Sequence, residues 1–189
     1  MPIRDDEVQR VATAVTTIDQ RVTQIVGTNG YDTQITNVFG PAMLHEVKKR
    51  FKLSLDALLR ICKAKNIVVD TMQKQKVWTC GGLTSETKIT LPDELKVVSQ
   101  NELMLTLVHE MTHALPTGAR TDDKYYRHHE KFKTAKVQRK LITADYYAEV
   151  FDRVLKNIAV TCFCQPMPLK FPNSRMACLS STAGNSRSW

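Results

Sequence analysis

The sequence predicts an α+β fold in a single domain, with helices at both ends and a small, mostly antiparallel sheet between them. Apolar residues recur at helical spacing over residues 5–65 and again over 100–115 and 131–160. Short β-rich runs separated by Gly and Pro occupy residues 66–92. At 189 residues the chain is long enough to bury one sizeable core, which we place at residues 1–165.

The N-terminal region is predicted to be helical. Its first apolar stripe has alternating spacings of three and four and indicates a helix that ends near Gly27: Val8, Val11, Val15, Ile18, Val22 and Ile25. The polar stretch between Gly27 and Pro41 is interpreted as a loop. Two further helices are expected at 42–50 and 54–65.

Three β-rich runs follow, at residues 67–69, 77–80 and 87–91. Gly81-Gly82 and Pro92 punctuate them, and short strands joined by tight turns favour antiparallel pairing. We expect residues 88–91 to form an edge strand beside a cleft, where another extended segment can add to the strand edge.

The helix at 100–115 has a defined start and end. Ser99 and Glu102 have the spacing of a capping box, an apolar stripe follows, and Pro116 ends the helix. Beyond a loop, residues 131–160 predict one or two C-terminal helices. An irregular tail is expected at 166–189, where Pro, Ser, Gly and Asn are frequent.

Composition excludes a disordered or membrane-spanning chain. Hydrophobic residues make up 42% and charged residues 24%, and no apolar run reaches the roughly 18 residues of a membrane span. The first residues lack the pattern of a signal peptide, so localisation stays open. The five cysteines are an odd number, and their disulfide state stays open as well.

The formal net charge of +8 is concentrated between Lys124 and Lys140. Such a run can attract an acidic substrate, a nucleic acid or an anionic surface. A solvated helix face is the interpretation we favour, which makes nucleic acid an unlikely partner.

The helix at 100–115 carries His109-Glu110-Met111-Thr112-His113. Histidines four residues apart project from one helix face, so both imidazoles can reach one ion. Glu110 is turned about 100° around the axis, where its carboxylate can act as a general base toward water. This pattern predicts a zinc-dependent hydrolase.

A catalytic zinc has three protein ligands and one open position, so a third ligand is required. Position 119, where a metzincin has its third His, is Ala119. Spacing does not choose among the remaining candidates, which are Asp122, Asp123, His128, His129, Glu130, Asp145 and Glu149.

Two segments after the His pair resemble the aspzincin metallopeptidases, the group of deuterolysin and peptidyl-lysine endopeptidase. Residues 121–126, Thr-Asp-Asp-Lys-Tyr-Tyr, resemble the signature Gly-Thr-x-Asp-x-x-Tyr-Gly, with Arg120 and Arg127 at the glycine positions. Residues 143–147, Thr-Ala-Asp-Tyr-Tyr, resemble the segment Asn-Ala-Asp-x-Tyr of the lysine-specific branch. The resemblance covers roughly residues 86–151.

This resemblance implies a zincin-like catalytic domain that binds zinc and cleaves polypeptides. It makes Asp123 the third ligand beside His109 and His113, and it gives the Tyr126 hydroxyl the role of donor to the oxyanion. Asp145 matches the first acid of a substrate pocket for lysine. The second acid is replaced by Ala148, with Glu149 one position later.

Several alternatives stay open at this point. A gluzincin arrangement takes Glu149 as third ligand, and the substrate is then a polypeptide or a peptide of the bacterial cell wall. A non-catalytic basic binding module is the non-enzymatic alternative. By analogy with small metallopeptidase toxins, a secreted or injected effector with a cognate immunity protein is the expected biological setting.

Overall fold

A computed structural model describes residues 5–70, 83–85, 87–92, 98–116, 118–123, 125–127 and 129–161. The predicted strand at 77–80 and the predicted tail at 166–189 lie outside these ranges. The described chain is mostly helical with one small sheet, compatible with the α+β class. Its elements are α1 (Asp5–Gly27), α2 (Asp32–Phe39), a 3-10 turn (Pro41–Met43), α3 (Leu44–Lys63), β1 (Ile67–Asp70), β2 (Leu83–Ser85), β3 (Lys88–Pro92), α4 (Gln100–His113), α5 (Glu130–Thr134), α6 (Val137–Leu141) and α7 (Ala144–Thr161).

Helix α1 confirms the first predicted helix, including its end at Gly27. Ile18, Val22 and Ile25 are fully buried on one of its faces, as their spacing predicted. This face packs against α3 and α4, which makes α1 part of the support of the central helix.

Helix α2 shows that the loop prediction between Gly27 and Pro41 was wrong. Ile35, Val38 and Phe39 have helical spacing, and all three are buried. The Phe39 ring lies 6.1 Å from that of Tyr146 and 5.2 Å from that of Tyr147, centroid to centroid. Burial of this short apolar face against α7 explains why a polar-looking segment is helical.

Helix α3 is continuous where two helices were predicted. It spans Leu44–Lys63 without a break at residues 51–53, and its buried face includes Val47, Phe51 and Leu58. No Gly or Pro interrupts this stretch, so the helical hydrogen bonds continue through it.

Among the described strands the sheet is mixed, with one parallel and one antiparallel pair, so for these strands the prediction of a mostly antiparallel sheet was wrong. The strand order is β1-β3-β2, in which β1 pairs with β3 in parallel and β2 pairs with β3 antiparallel. The short connection from β2 to β3 requires antiparallel pairing, whereas the long connection between β1 and β3 permits the parallel one. Because β3 is the middle strand, it does not offer the free edge that was expected at residues 88–91.

Helix α4 lies at the centre of the packing, against α1, α3 and α7. The predicted capping box is confirmed: the Glu102 N–H donates to Ser99 Oγ at 3.2 Å, and the Ser99 N–H donates to Glu102 Oε2 at 2.8 Å. The helix ends at His113, two residues before the predicted end. All residues from Thr106 to Leu115 are buried, so the motif with its two histidines lies inside the core and not on a surface helix.

Candidate metal centre

Helix α4 brings two imidazoles to one point. His109 and His113 are 8% and 9% exposed, and their Nε2 atoms lie 3.1 Å apart. The four-residue spacing places the rings one helical turn apart on the same face. The pairing predicted from the motif is therefore present.

Asp123 reaches this pair from an extended segment. Its Oδ1 atom lies 2.9 Å from His109 Nε2 and 2.9 Å from His113 Nε2. The neighbouring Asp122 points the opposite way, toward the Arg139 guanidinium at 3.0 Å. Asp122 forms a parallel bridge with Thr143, and successive side chains of an extended segment alternate in direction. This alternation explains why Asp123 and not Asp122 joins the histidines.

The three atoms form a triangle with sides of 2.9, 2.9 and 3.1 Å. In a tetrahedral zinc site, ligand atoms at bond lengths near 2.1 Å are about 3.4 Å apart. The sides of the triangle are within about half an ångström of that spacing. His109, His113 and Asp123 can therefore hold a metal ion. Within the described ranges, no other group of three or more His, Cys, Asp or Glu side chains meets the same condition.

The outer nitrogens of both imidazoles have acceptors. His109 Nδ1 lies 2.6 Å from Asp145 Oδ1, and His113 Nδ1 lies 3.0 Å from the Thr121 carbonyl oxygen. When Nδ1 donates, the lone pair of Nε2 is free to face a metal. The sequence pattern did not indicate Thr121, because a backbone carbonyl carries no residue signature.

Hydrogen bonds hold the loop before Asp123 against two helices, α4 and α3. The Thr121 hydroxyl lies 2.7 Å from that of Thr112, on the helix that carries the histidines. From α3, Arg50 Nη1 donates to the carbonyl oxygens of Ala119 at 3.0 Å and Leu141 at 3.2 Å. These contacts hold the Asp123 segment close to α4, although neither was predicted.

The charges of the clustered side chains affect one another. Burial opposes a charged imidazole, but hydrogen bonds to Asp123 and Asp145 outweigh it and raise the pKa of His109 to about 10. Burial also opposes a charged Asp123, while both histidines hold the pKa of that carboxyl well below its usual range. In the metal-free cluster, His109 and Asp123 thus form an ion pair, and a metal has to displace the proton.

Glu110 and Tyr126 lie around this cluster. The Glu110 side chain is fully buried, and its charge acts on both His109 and Tyr126. The Tyr126 ring is parallel to the His109 ring within 6°, with centroids 6.5 Å apart. Burial, together with the charges of Asp123, Asp145 and Glu110, raises the pKa of Tyr126 to about 12, so its hydroxyl stays protonated at neutral pH.

The other candidates for the third ligand are placed differently. Glu149, the gluzincin alternative, pairs with Arg153 at 2.8 Å and with Arg127 at 3.7 Å, and it does not belong to the cluster. His129 is exposed and its ring packs edge-on to Tyr126. His128 lies outside the described residues.

Asp145 lies against the cluster, whereas the resemblance implied a substrate pocket for lysine. Its side chain is 14% exposed, and its second oxygen accepts a hydrogen bond from the Arg127 N–H at 2.8 Å. The lysine pocket stays a prediction, but both oxygens of Asp145 are already engaged within the protein.

The basic run divides into two groups. Arg127, Arg139 and Lys140 bind within the protein, to Asp152, Asp122 and the Val38 carbonyl oxygen respectively. Lys131, Lys133 and Lys136 are exposed on and beside α5. Lys124 lies outside the described residues. Much of the run thus has a structural role in addition to any effect of its charge.

Comparison of the chain with protein-family models, with curated proteins and with solved structures found no match. The resemblance to the aspzincins therefore stays a prediction from two short segments. None of the helices in the described ranges combines the length and the hydrophobicity that a transmembrane span needs.

Proposed function

We propose that this chain is a zinc-dependent peptidase with a zincin-like active site, in which His109, His113 and Asp123 are the metal ligands. The triangle formed by two imidazole nitrogens and one carboxylate oxygen is the observation that carries the proposal. Three protein ligands leave the fourth position of a tetrahedral site open for water and substrate, as catalytic zinc sites require.

The donor set favours zinc over the hard cations. Calcium and magnesium prefer six or more oxygen ligands, whereas two imidazoles and a carboxylate suit zinc or a similar transition metal. When bound, zinc supplies Lewis acidity and lowers the pKa of a water molecule to about 7.

Glu110 is the proposed general base. Its carboxylate takes the proton of the water that attacks the substrate carbonyl, and it returns this proton to the leaving amine. Support for this role is that Glu110 is fully buried beside the cluster, where its charge acts on both His109 and Tyr126.

Tyr126 is the proposed oxyanion donor. Its ring lies parallel to that of His109, beside the candidate ligands, and its raised pKa keeps the hydroxyl able to donate at neutral pH. A donor aimed at the developing negative charge can change the rate by about a hundredfold or more.

A polypeptide is the proposed substrate class. Strand β2 is at one end of the sheet order, antiparallel to β3, and it contacts α4. Its outer edge has no strand partner among the described residues. An extended peptide can add to such an edge by main-chain hydrogen bonds. This role replaces the one expected for residues 88–91.

The deciding experiment combines zinc content with hydrolysis of casein, and purified bacterial sacculi serve as the alternative substrate. Wild type should contain about one zinc per chain. Glu110→Gln should retain zinc and fold but lose hydrolysis by about a hundredfold or more. Zinc retained with hydrolysis of neither substrate would refute the peptidase, and preferential digestion of sacculi would identify a cell-wall hydrolase.

Asp123→Ala tests the third ligand, with Asp122→Ala as its matched control. Asp123→Ala should lose the zinc, whereas Asp122→Ala should keep it because that side chain faces Arg139. Loss of zinc in Glu149→Ala with retention in Asp123→Ala would establish the gluzincin arrangement instead.

A further inference from the structure

The Asp145 carboxylate lies where three segments of the chain meet. It belongs to the first turn of α7, its Oδ1 is 2.6 Å from His109 Nδ1 on α4, and its Oδ2 accepts from the Arg127 N–H at 2.8 Å. At 14% exposure it is largely withdrawn from solvent. One side chain therefore contacts both a candidate ligand and the segment that follows Tyr126.

The contact with His109 determines how that ring is presented. An imidazole that donates from Nδ1 to a carboxylate keeps its Nε2 lone pair for a metal, and the hydrogen bond fixes the plane of the ring. His109 Nε2 is the atom that lies 2.9 Å from Asp123 and 3.1 Å from His113.

The contact with Arg127 acts on the neighbouring Tyr126. Fixing the backbone at residue 127 limits where the Tyr126 ring can lie, and this ring is parallel to that of His109. The Arg127 side chain is also held by α7, through Asp152 at 3.4 Å and Glu149 at 3.7 Å. Helix α7 thus holds the Tyr126 segment by its backbone and by its side chain.

We propose that Asp145 is a positioning residue that orients His109 for the metal and at the same time aligns the Tyr126 segment with the site. This inference rests on the proposed function. It gives Asp145 a role other than substrate binding, because its two oxygens are already engaged by His109 and Arg127.

Asp145→Asn tests this role, because the amide has one accepting and one donating end. It can accept from His109 or from Arg127 but not from both, so one contact is lost in either orientation. We expect zinc affinity to fall about tenfold to a hundredfold, measured by competition with a chromophoric chelator. The absorption spectrum of the cobalt-substituted protein should change as well, since it reports ligand geometry.

Asp152→Asn is the matched control. It removes the same charge from the same helix, and its side chain contacts Arg127 and Lys156 but not His109. Its zinc affinity should stay within about twofold of wild type. Equal losses in Asp145→Asn and Asp152→Asn would overturn the proposal, because general charge and not orientation would then explain the effect.

Asp145→Glu provides a second variant that retains the charge. The longer side chain misplaces both oxygens, so we expect a zinc affinity at least about threefold below wild type, and an unchanged affinity would overturn the proposal.

Failure of the proposed function is seen separately in the wild type, as zinc binding without hydrolysis. If wild type binds no zinc, the contact between Asp145 and His109 can still be tested in the metal-free protein by NMR. The downfield Nδ1–H proton resonance of His109 should shift in Asp145→Asn and not in Asp152→Asn. No shift in either variant would overturn the inference.

Discussion

The ion pair between His109 and Asp123 makes the stability of the metal-free protein depend on pH. The pKa of His109 rises from 6.5 to about 10, because its hydrogen bonds to Asp123 and Asp145 outweigh the opposing effect of burial. Between these two values the folded protein binds one proton more than the unfolded chain. The stabilisation is therefore complete below pH 6.5 and is lost as the pH rises through 10.

One proton of difference gives a slope on the order of 1 kcal/mol per pH unit in the free energy of unfolding. At acidic pH the slope of the free energy of unfolding against pH has the opposite sign. The lowered pKa of Asp123 contributes stability above its ordinary value of 3.8 and loses it as the pH falls further. We therefore expect the ion pair to stabilise the metal-free protein most between about pH 4 and pH 6.5.

The assay is urea denaturation of chelator-treated protein, followed by circular dichroism at steps of about one unit between pH 6.5 and 10. His109→Gln is the matched variant, since it removes the titrating group and retains a polar side chain. The difference in free energy of unfolding between wild type and His109→Gln should shrink steadily as the pH rises. A difference that stays constant across this range would refute the assignment of a charged His109 in the cluster.

Three further predictions concern the site and its support. Tyr126→Phe should lower kcat by about tenfold to a hundredfold with KM nearly unchanged, as measured on a peptide substrate, because the proposed role of the hydroxyl is to donate to the transition state. Phe39→Ala should reduce the free energy of unfolding by about 3–5 kcal/mol in urea denaturation, since the fully buried ring packs on Tyr146 and Tyr147. Arg127→Ala should raise the relative kcat/KM for peptides with basic residues in a library assay, because it removes one of the cations that pair with Glu149 and Asp152; an unchanged preference would argue against recognition of basic residues by these two carboxylates.

Local patterns in the sequence were sufficient to predict the central helix, α4. The capping box of Ser99 and Glu102 and the spacing of His109 and His113 depend on residues within one or two turns of each other, so helix geometry alone determines them. The first helix was predictable for the same reason. Its apolar stripe is long and regular.

Short or non-local features were less predictable. The apolar face of α2 consists of only three buried residues, and packing on α7 decides its conformation. The parallel pairing of β1 with β3 depends on the path of a long connection, which residue pattern does not specify.

The third ligand shows the same limit. Spacing left seven candidates, and the nomination of Asp123 depended on a short resemblance. In the structure, the bridge between Asp122 and Thr143 sets the direction of Asp123, and that bridge joins residues 21 positions apart. The contact of Asp145 with His109 spans 36 positions and likewise appears only when α7 packs on α4.

The connection between α7 and the His pair has a consequence for biosynthesis. The chain emerges from the ribosome N-terminus first, so His109 and His113 appear well before Asp145 and the helix that positions it. Asp123 likewise depends on Thr143 for its direction. If the proposed function holds, the nascent chain stays inactive until its last described helix has folded back, and hydrolysis begins only after synthesis of the domain is nearly complete.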